Sequence, residues 1–237
     1  MQDPQKKYAA IMQPTFMPWA GYFNLMACVD DFVFLDDVQL EKQSWQTRNR
    51  LLSQNSVNWI TLPIKNTGLS QKINETTLVN EANWFRKMLL TFEQSYSKHP
   101  YFNECYEVFE FFKCLPKERL LTLNISLIKF IAKKLDINCK FYLSSYLTKK
   151  VEKVERIESI CERLGASVFL APQGSLTYLS KASNEQLSGI VVQFHDFTPV
   201  PYDQFRSEIF QSHLSIVDVV CNLGWHQSKS YVRGEFY

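Results

Sequence analysis

The sequence predicts an α/β fold in which a mostly parallel sheet is flanked by helices, with an all-α insertion between the third and fourth strands. Three observations predict it. Short apolar runs without polar alternation read as strands buried on both faces, the pattern of parallel sheets. Amphipathic segments of helical period alternate with those runs, an order that requires right-handed crossovers. The chain has 237 residues, of which 46% are hydrophobic and 21% charged, enough to build a sizeable core.

Tyr8–Gln13 is the first strand, stopped at Gln13–Pro14. Trp19–Cys28 follows as a helix, with Tyr22, Phe23, Met26 and Ala27 on one face. Asp31–Asp37 is the second strand and Trp59–Ile64 the third. Asn83–Tyr96, Tyr101–Cys114 and Pro116–Leu135 repeat apolar residues at helical spacing. His99–Pro100 and Leu115–Pro116 separate them, because a proline opens a helix and disfavours a helical residue before it. Phe141–Leu143 is the fourth strand, and Val151–Leu164 a helix ended by Gly165. Val168–Leu170 is the fifth strand, closed by Ala171–Pro172, and Ile190–Phe194 the sixth. Ile209–Asn222 is the last helix, with Gly224 beyond it. The expected architecture is one Rossmann-like domain over residues 1–237, carrying residues 81–136 as a helical insertion able to wall a site at the strand ends.

Composition narrows the function. A net charge of +2 gives no basic surface suited to DNA. Lys149, Lys150, Lys153 and Arg156 are interleaved with Glu152, Glu155 and Glu158, which reads as the solvated face of an amphipathic helix. The six cysteines form no C-x-x-C pair, and no histidine stands at zinc-finger spacing from them, so no metal is predicted. Met1–Lys7 is polar and no apolar run reaches the roughly 18 residues of a membrane span. Neither a signal peptide nor a span is expected, and a reducing cytoplasm is the consistent compartment.

Three segments are poor core material and carry the candidate chemistry. After the first strand, Gln13, Thr15, Pro18, Gly21 and Tyr22 lie in a proline-stiffened turn that opens a helix, where free N–H groups suit a phosphate or carboxylate. A βα turn with a tightly packed glycine is the structural alternative. After the second strand come Asp36 and Asp37, then Lys42, Trp45, Arg48, Asn49 and Arg50. The acids suit a base or a ribose contact, the arginines a bidentate anion, and the tryptophan a stacked ring. A surface loop of Asp–Arg pairs is the alternative here. Gly174, Ser175 and Tyr178 follow the fifth strand and suit a backbone-lined anion or sugar site, or an ordinary turn. His195, beside Asp196, ends the sixth strand as a second candidate base or a structural histidine. His213 is expected inside the last helix and His226 near a flexible end.

The run IMQPTFMPWAGYFNLMACVDDFVFLDDVQLEKQSWQTRNRL, with NWITLPI, YSKHPYF, GASVFLAPQGSLTYL and LSIVDVVCNLG, resembles the WbqC-like family over nearly the whole chain. The resemblance implies a role in bacterial surface-polysaccharide (O-antigen, lipopolysaccharide) biosynthesis, acting on a nucleotide-linked amino sugar. The expected activity is transfer of an acyl or aminoacyl group to a sugar amine. Asp36 or Asp37 would act as base, with His195 as the alternative. Arg48 and Arg50 would hold phosphates and Trp45 would stack. No cofactor is required by the residues; a nucleotide or an acyl or aminoacyl donor, on a carrier or free, is the compatible co-substrate, and a homo-oligomer is compatible too. The turn after the first strand is also placed like the H-x-G-H loop of nucleotidyltransferases, but it lacks both histidines. An ATP- or CTP-dependent ligase and a non-catalytic sugar-nucleotide-binding protein are therefore the alternatives.

Overall fold

The structure, a computed structural model, describes residues 6–53, 56–65, 68, 70–80, 83–175 and 189–236. Along the chain run β1 (Tyr8–Met12), α1 (Ala20–Ala27), β2 (Asp31–Phe34), β3 (Arg48–Ser53) and β4 (Ser56–Thr61). Three longer helices follow: α2 (Trp84–Tyr96), α3 (Phe102–Cys114) and α4 (Leu120–Lys134). The rest comprises β5 (Lys140–Leu143), the one-turn α5 (Ser144–Leu147), α6 (Lys153–Leu164), β6 (Val168–Ala171), β7 (Val191–Phe194) and α7 (Ile216–Arg233). The chain divides into two compact units. The first comprises Met1–Gln13, Asn24–Asp37 and Asn138–Phe197; the second comprises Pro14–Phe23, Val38–Ile137 and Thr198–Tyr237.

The first unit holds a five-stranded sheet in the order β5-β2-β1-β6-β7, every neighbouring pair parallel. Chain order therefore reverses between β1 and β6, the arrangement of a Rossmann-like sheet, whose ligands characteristically bind at the carboxyl ends of such strands. The fold class is the expected one. The strands β1, β2 and β6 are buried along nearly their whole length. Ala9, Ile11, Val33, Phe169 and Ala171 pack with Ile157, Ile160 and Cys161 of α6 in one apolar cluster. Gly165 ends α6 at φ 65°, a left-handed cap that glycine reaches without steric cost.

The second unit departs from expectation in two places. The third strand was expected at Trp59–Ile64 in the parallel sheet. Instead β3 and β4 form a separate antiparallel hairpin, pairing Arg48 with Thr61 and Ser53 with Ser56. Arg48, Asn49 and Arg50, expected in a polar loop, are therefore strand residues. Alternation buries Asn49, Leu51 and Ile60 on one face, while Trp59 stays largely exposed on the other.

The last helix was expected over Ile209–Asn222, and α7 instead runs Ile216–Arg233. Its start is set by Ser215, whose side chain accepts from the Val217 N–H. Gly224 does not end it. The backbone there breaks to φ 69°, ψ 170° and the helix resumes. The break frees the Trp225 N–H, which donates to Glu104 Oε2 at 2.7 Å, while the indole N–H donates to the Glu104 carbonyl at 3.1 Å. His213 precedes α7 at φ 57°, and His226 lies within α7, exposed.

Helices α2 to α4 pack through rings: Phe92 stacks on Phe109 at 3.9 Å and also meets Tyr96 and Phe102, and Phe111 of α3 stacks on Phe130 of α4 at 4.3 Å. Asp218 of α7 is fully buried. Tyr96 Oη donates to its Oδ1 at 2.8 Å; Tyr202 Oη and Gln204 Nε2 donate to its Oδ2 at 2.5 and 2.9 Å. No helix among the described residues is long and apolar enough to cross a membrane.

Candidate functional site

The carboxyl edge of the parallel sheet gathers polar residues because each strand stops where its apolar run stops. Asp36 and Asp37 follow β2, and Ser144 follows β5, its parallel neighbour. Asp36 is buried; its Oδ1 accepts from the Ser145 N–H at 3.0 Å and lies 3.0 Å from the Ser144 hydroxyl. That hydroxyl lies 2.6 Å from Asp37 Oδ1. Arg156 of α6 grips Asp37 with both terminal nitrogens, at 3.2 and 3.3 Å. The arginine itself is buried, and its Nε donates to the Lys150 carbonyl at 2.7 Å. The solvated face expected for α6 is thus corrected at Arg156, whereas Lys150 and Glu155 do pair on the surface at 3.2 Å. Two carboxylates, one serine and one guanidinium staple the ends of β2 and β5 to α6. Asp37 has its oxygens committed to the Arg156 guanidinium and the Ser144 hydroxyl, which orient it and occupy the lone pairs a substrate proton would need.

His195 follows β7 at the same edge. Its N–H donates to the Ala171 carbonyl at 2.8 Å, and its Nε2 lies 2.5 Å from Oδ1 of Asn24 in α1. Burial pushes the imidazole below its ordinary range, against the opposing pull of Asp196. The ring is consequently neutral at neutral pH. With the Asn24 oxygen facing it, Nε2 carries the proton and Nδ1 carries the lone pair. Gln173 Nε2 donates to Asp196 Oδ1 at 3.4 Å. Gly174 is open: a Cβ added there would meet nothing within 4 Å, so the fold itself does not demand glycine. Ser175 is buried, its N–H donating to the Pro172 carbonyl at 2.8 Å. Gln13, Asp36, Asp37, Gly174, Ser175 and His195 all belong to this first unit, and Tyr178 lies outside the described residues.

Thr15, Pro18, Gly21, Tyr22, Lys42, Trp45, Arg48, Asn49 and Arg50 belong to the second unit. There the proline-stiffened turn is held by buried amides and a hydroxyl. Asn49 Nδ2 donates to the carbonyls of Phe16 and Met17 at 3.0 and 2.8 Å. Asn124 Nδ2 donates to Pro14 and Gln46 carbonyls at 2.9 and 2.8 Å, and Ser215 Oγ to the Met17 carbonyl at 2.8 Å. The Pro18 carbonyl accepts from the Ile216 N–H, and Tyr22 is buried against Phe23. Gly21 is required by packing, since a Cβ there would fall 2.3 Å from the Trp19 indole.

The other face of the hairpin presents a ladder of rings and cations. Trp45 and Trp59 lie 5.3 Å apart and are 45% and 44% exposed, so both keep ring surface for a partner. Arg48 sits 4.0 Å over Trp59 and Arg50 5.5 Å over Trp45. Arg50 also donates to the His213 carbonyl at 2.8 Å, and Lys42 is exposed. Sequence reasoning missed Asn24, Asn124, Ser144, Arg156, Ser215 and Asp218. Of these only Ser215 carried a signal, as a serine immediately before an apolar helical run.

A model of the WbqC-like protein family matches residues 13–230. An uncharacterised protein of Mycobacterium tuberculosis is 29% identical over 234 residues, covering 96% of this chain and 98% of that one. No solved structure matches the chain at a significant level.

Proposed function

Because the chain belongs to the WbqC-like protein family, we propose that it is a transferase of surface-polysaccharide biosynthesis, placing an acyl or aminoacyl group on the amine of a nucleotide-linked sugar. The observation that carries this reading is His195, fixed to Asn24 at the carboxyl edge of a sheet whose order reverses between β1 and β6. Such edges are where α/β sheets hold their ligands.

His195 acts as the general base in this reading, in preference to Asp37, whose oxygens are taken by Arg156 and Ser144. The sugar amine attacks the acyl carbonyl carbon. A C–N bond forms, the bond from that carbon to the donor's leaving group breaks, and the amine proton passes to His195 Nδ1 and then to the leaving group. Asn24 orients the ring and fixes its tautomer.

The test is incubation with a panel of nucleotide amino sugars and acyl or aminoacyl donors, read by mass spectrometry for the product's mass increment. His195→Gln should lower kcat by about 10²–10⁴ with little change in melting temperature. The kcat/KM profile should lose activity only below the ordinary histidine range, since burial lowers the pKa of His195. Silence across the panel, with no nucleotide-sugar binding by calorimetry, would refute the proposal. Release of pyrophosphate from ATP or CTP would favour the ligase alternative instead.

A further inference from the structure

The second unit contains a cleft of about 120 Å³ walled by Gln94, Ser95, Lys98 and His99 on one side and by Leu52, Phe205 and Arg206 on the other. At about 30 Å³ per water, it takes about four waters, the size of a phosphoryl group, and it is partly open, so the rest of an ester lies across its mouth. We propose that this cleft binds a phosphate monoester of a small sugar or polyol, a site outside the reaction inferred above and independent of His195.

Charge is the first reason. Lys98 and Arg206 line the cleft, no carboxylate does, and neither cation pairs with an acid among the described residues. A lining of two positive charges matches a phosphate dianion, and a guanidinium beside an ammonium supplies both fork and point-charge recognition. The wall chemistry is the second reason. Gln94 and Ser95 offer hydrogen bonds to hydroxyls, while Phe205 and Leu52 offer apolar surface to the C–H face of a sugar.

His99 is the third. It is nine-tenths buried, and its Nδ1 has no hydrogen-bond partner among the described residues. The ring lies between Tyr96 and Phe205, at 4.7 and 4.9 Å. Burial drives its pKa down to about 4, so it stays neutral and leaves the cleft's charge to the lysine and arginine.

The backbone of Arg206 already favours glycine. It sits at φ 60°, in the left-handed region that a long side chain rarely adopts, with the guanidinium 5.0 Å over the Phe205 ring. Glycine would occupy that conformation without strain. Arg206→Gly therefore removes the cation without adding backbone strain.

Arg206→Gly makes the test selective, because it removes the charge while relieving the backbone. The full-length protein is titrated by calorimetry with a hexose 6-phosphate, inorganic phosphate and the unphosphorylated hexose. The ester should bind saturably, inorganic phosphate more weakly, and the neutral hexose at least tenfold more weakly than the ester. Arg206→Gly should melt at the same or a higher temperature yet bind the ester at least tenfold more weakly, and Lys98→Ala should also weaken it. Absence of saturable binding, equal binding of the neutral hexose, or undiminished affinity in both variants would overturn the proposal.

Discussion

Asp37 in the first unit and Asp218 in the second are both carboxylates withdrawn from water, and the two units treat them differently. Asp37 meets a guanidinium, and its side chain keeps 17% of its surface exposed at the edge where ligands of such sheets bind. Asp218 is fully buried and meets two phenols and an amide. A cation partner compensates the charge in the native state and leaves a polar edge. A cage of neutral donors serves the carboxylate only while all the donors stay in place, and it ties α2, α7 and the segment around Tyr202 into one network. The first arrangement suits a site and the second suits a scaffold.

The largest effect expected from this contrast is at Asp218. Replacing it by alanine orphans three buried donors at about 1–3 kcal/mol each, and urea unfolding should show a loss of roughly 3–5 kcal/mol. Asp218→Asn keeps an acceptor and should cost less. It should also change the pH dependence. Burial raises the pKa of Asp218 despite the three donors. The folded state therefore holds its proton more tightly than the unfolded chain. That contribution is full below the unfolded value of about 3.9 and is lost as pH rises toward the folded value. The stability gap between native protein and Asp218→Asn should narrow upward from about pH 4.

Arg156→Ala comes next. The pair is only 10% and 17% exposed on its two sides. Its loss should fall near 2 kcal/mol, between about 0.5 for an exposed pair and 3–5 for a buried one. A double-mutant cycle with Asp37→Asn should show that the two changes are coupled. An additive cycle would erase the distinction drawn between the two acids.

Asn124→Ala removes one hydrogen bond to the turn after β1 and one to the Gln46 carbonyl ahead of β3, and should cost about 2 kcal/mol by thermal unfolding. Two glycines sharpen the contrast, the second of them with the smallest effect of all. Gly21→Ala collides with Trp19 and should cost about 1–3 kcal/mol. Gly174→Ala meets nothing in the protein and should stay within about 0.5 kcal/mol. A drop in ligand affinity in Gly174→Ala without a drop in stability would mark that turn as a contact for substrate.

The parallel strands were legible because β1, β2 and β6 are buried on both faces, so an apolar run and its polar stop mark each of them. The helices α2, α3, α4 and α6 were legible by period, with His99–Pro100 and Gly165 as punctuation. The strand β3 was not. Its outward residues are Arg48 and Arg50, and its inward face begins with Asn49, whose amide serves two backbone carbonyls. The run therefore opens with three polar residues before Leu51 and Leu52, too short an apolar stretch to read as a strand. The pairing of Trp45 with Trp59 was hidden for the same reason, since it depends on the hairpin register. Nor does any local pattern announce that Arg156 reaches back to Asp37, or that Asn24 meets His195, because both contacts join parts of the chain more than a hundred residues apart.

Gly224 turns α7 into two rods meeting at a joint. A methyl group there would fall 2.7 Å from the Tyr101 ring and 3.1 Å from Glu104. The heading of the final turns is thus decided at a position with no side chain. Those turns carry Tyr231, whose hydroxyl reaches the Val200 carbonyl at 3.0 Å and whose ring leans on Tyr202 at 5.2 Å. Bending the rod anywhere else would swing Tyr231 off Tyr202 and loosen the cage around Asp218 from its far side.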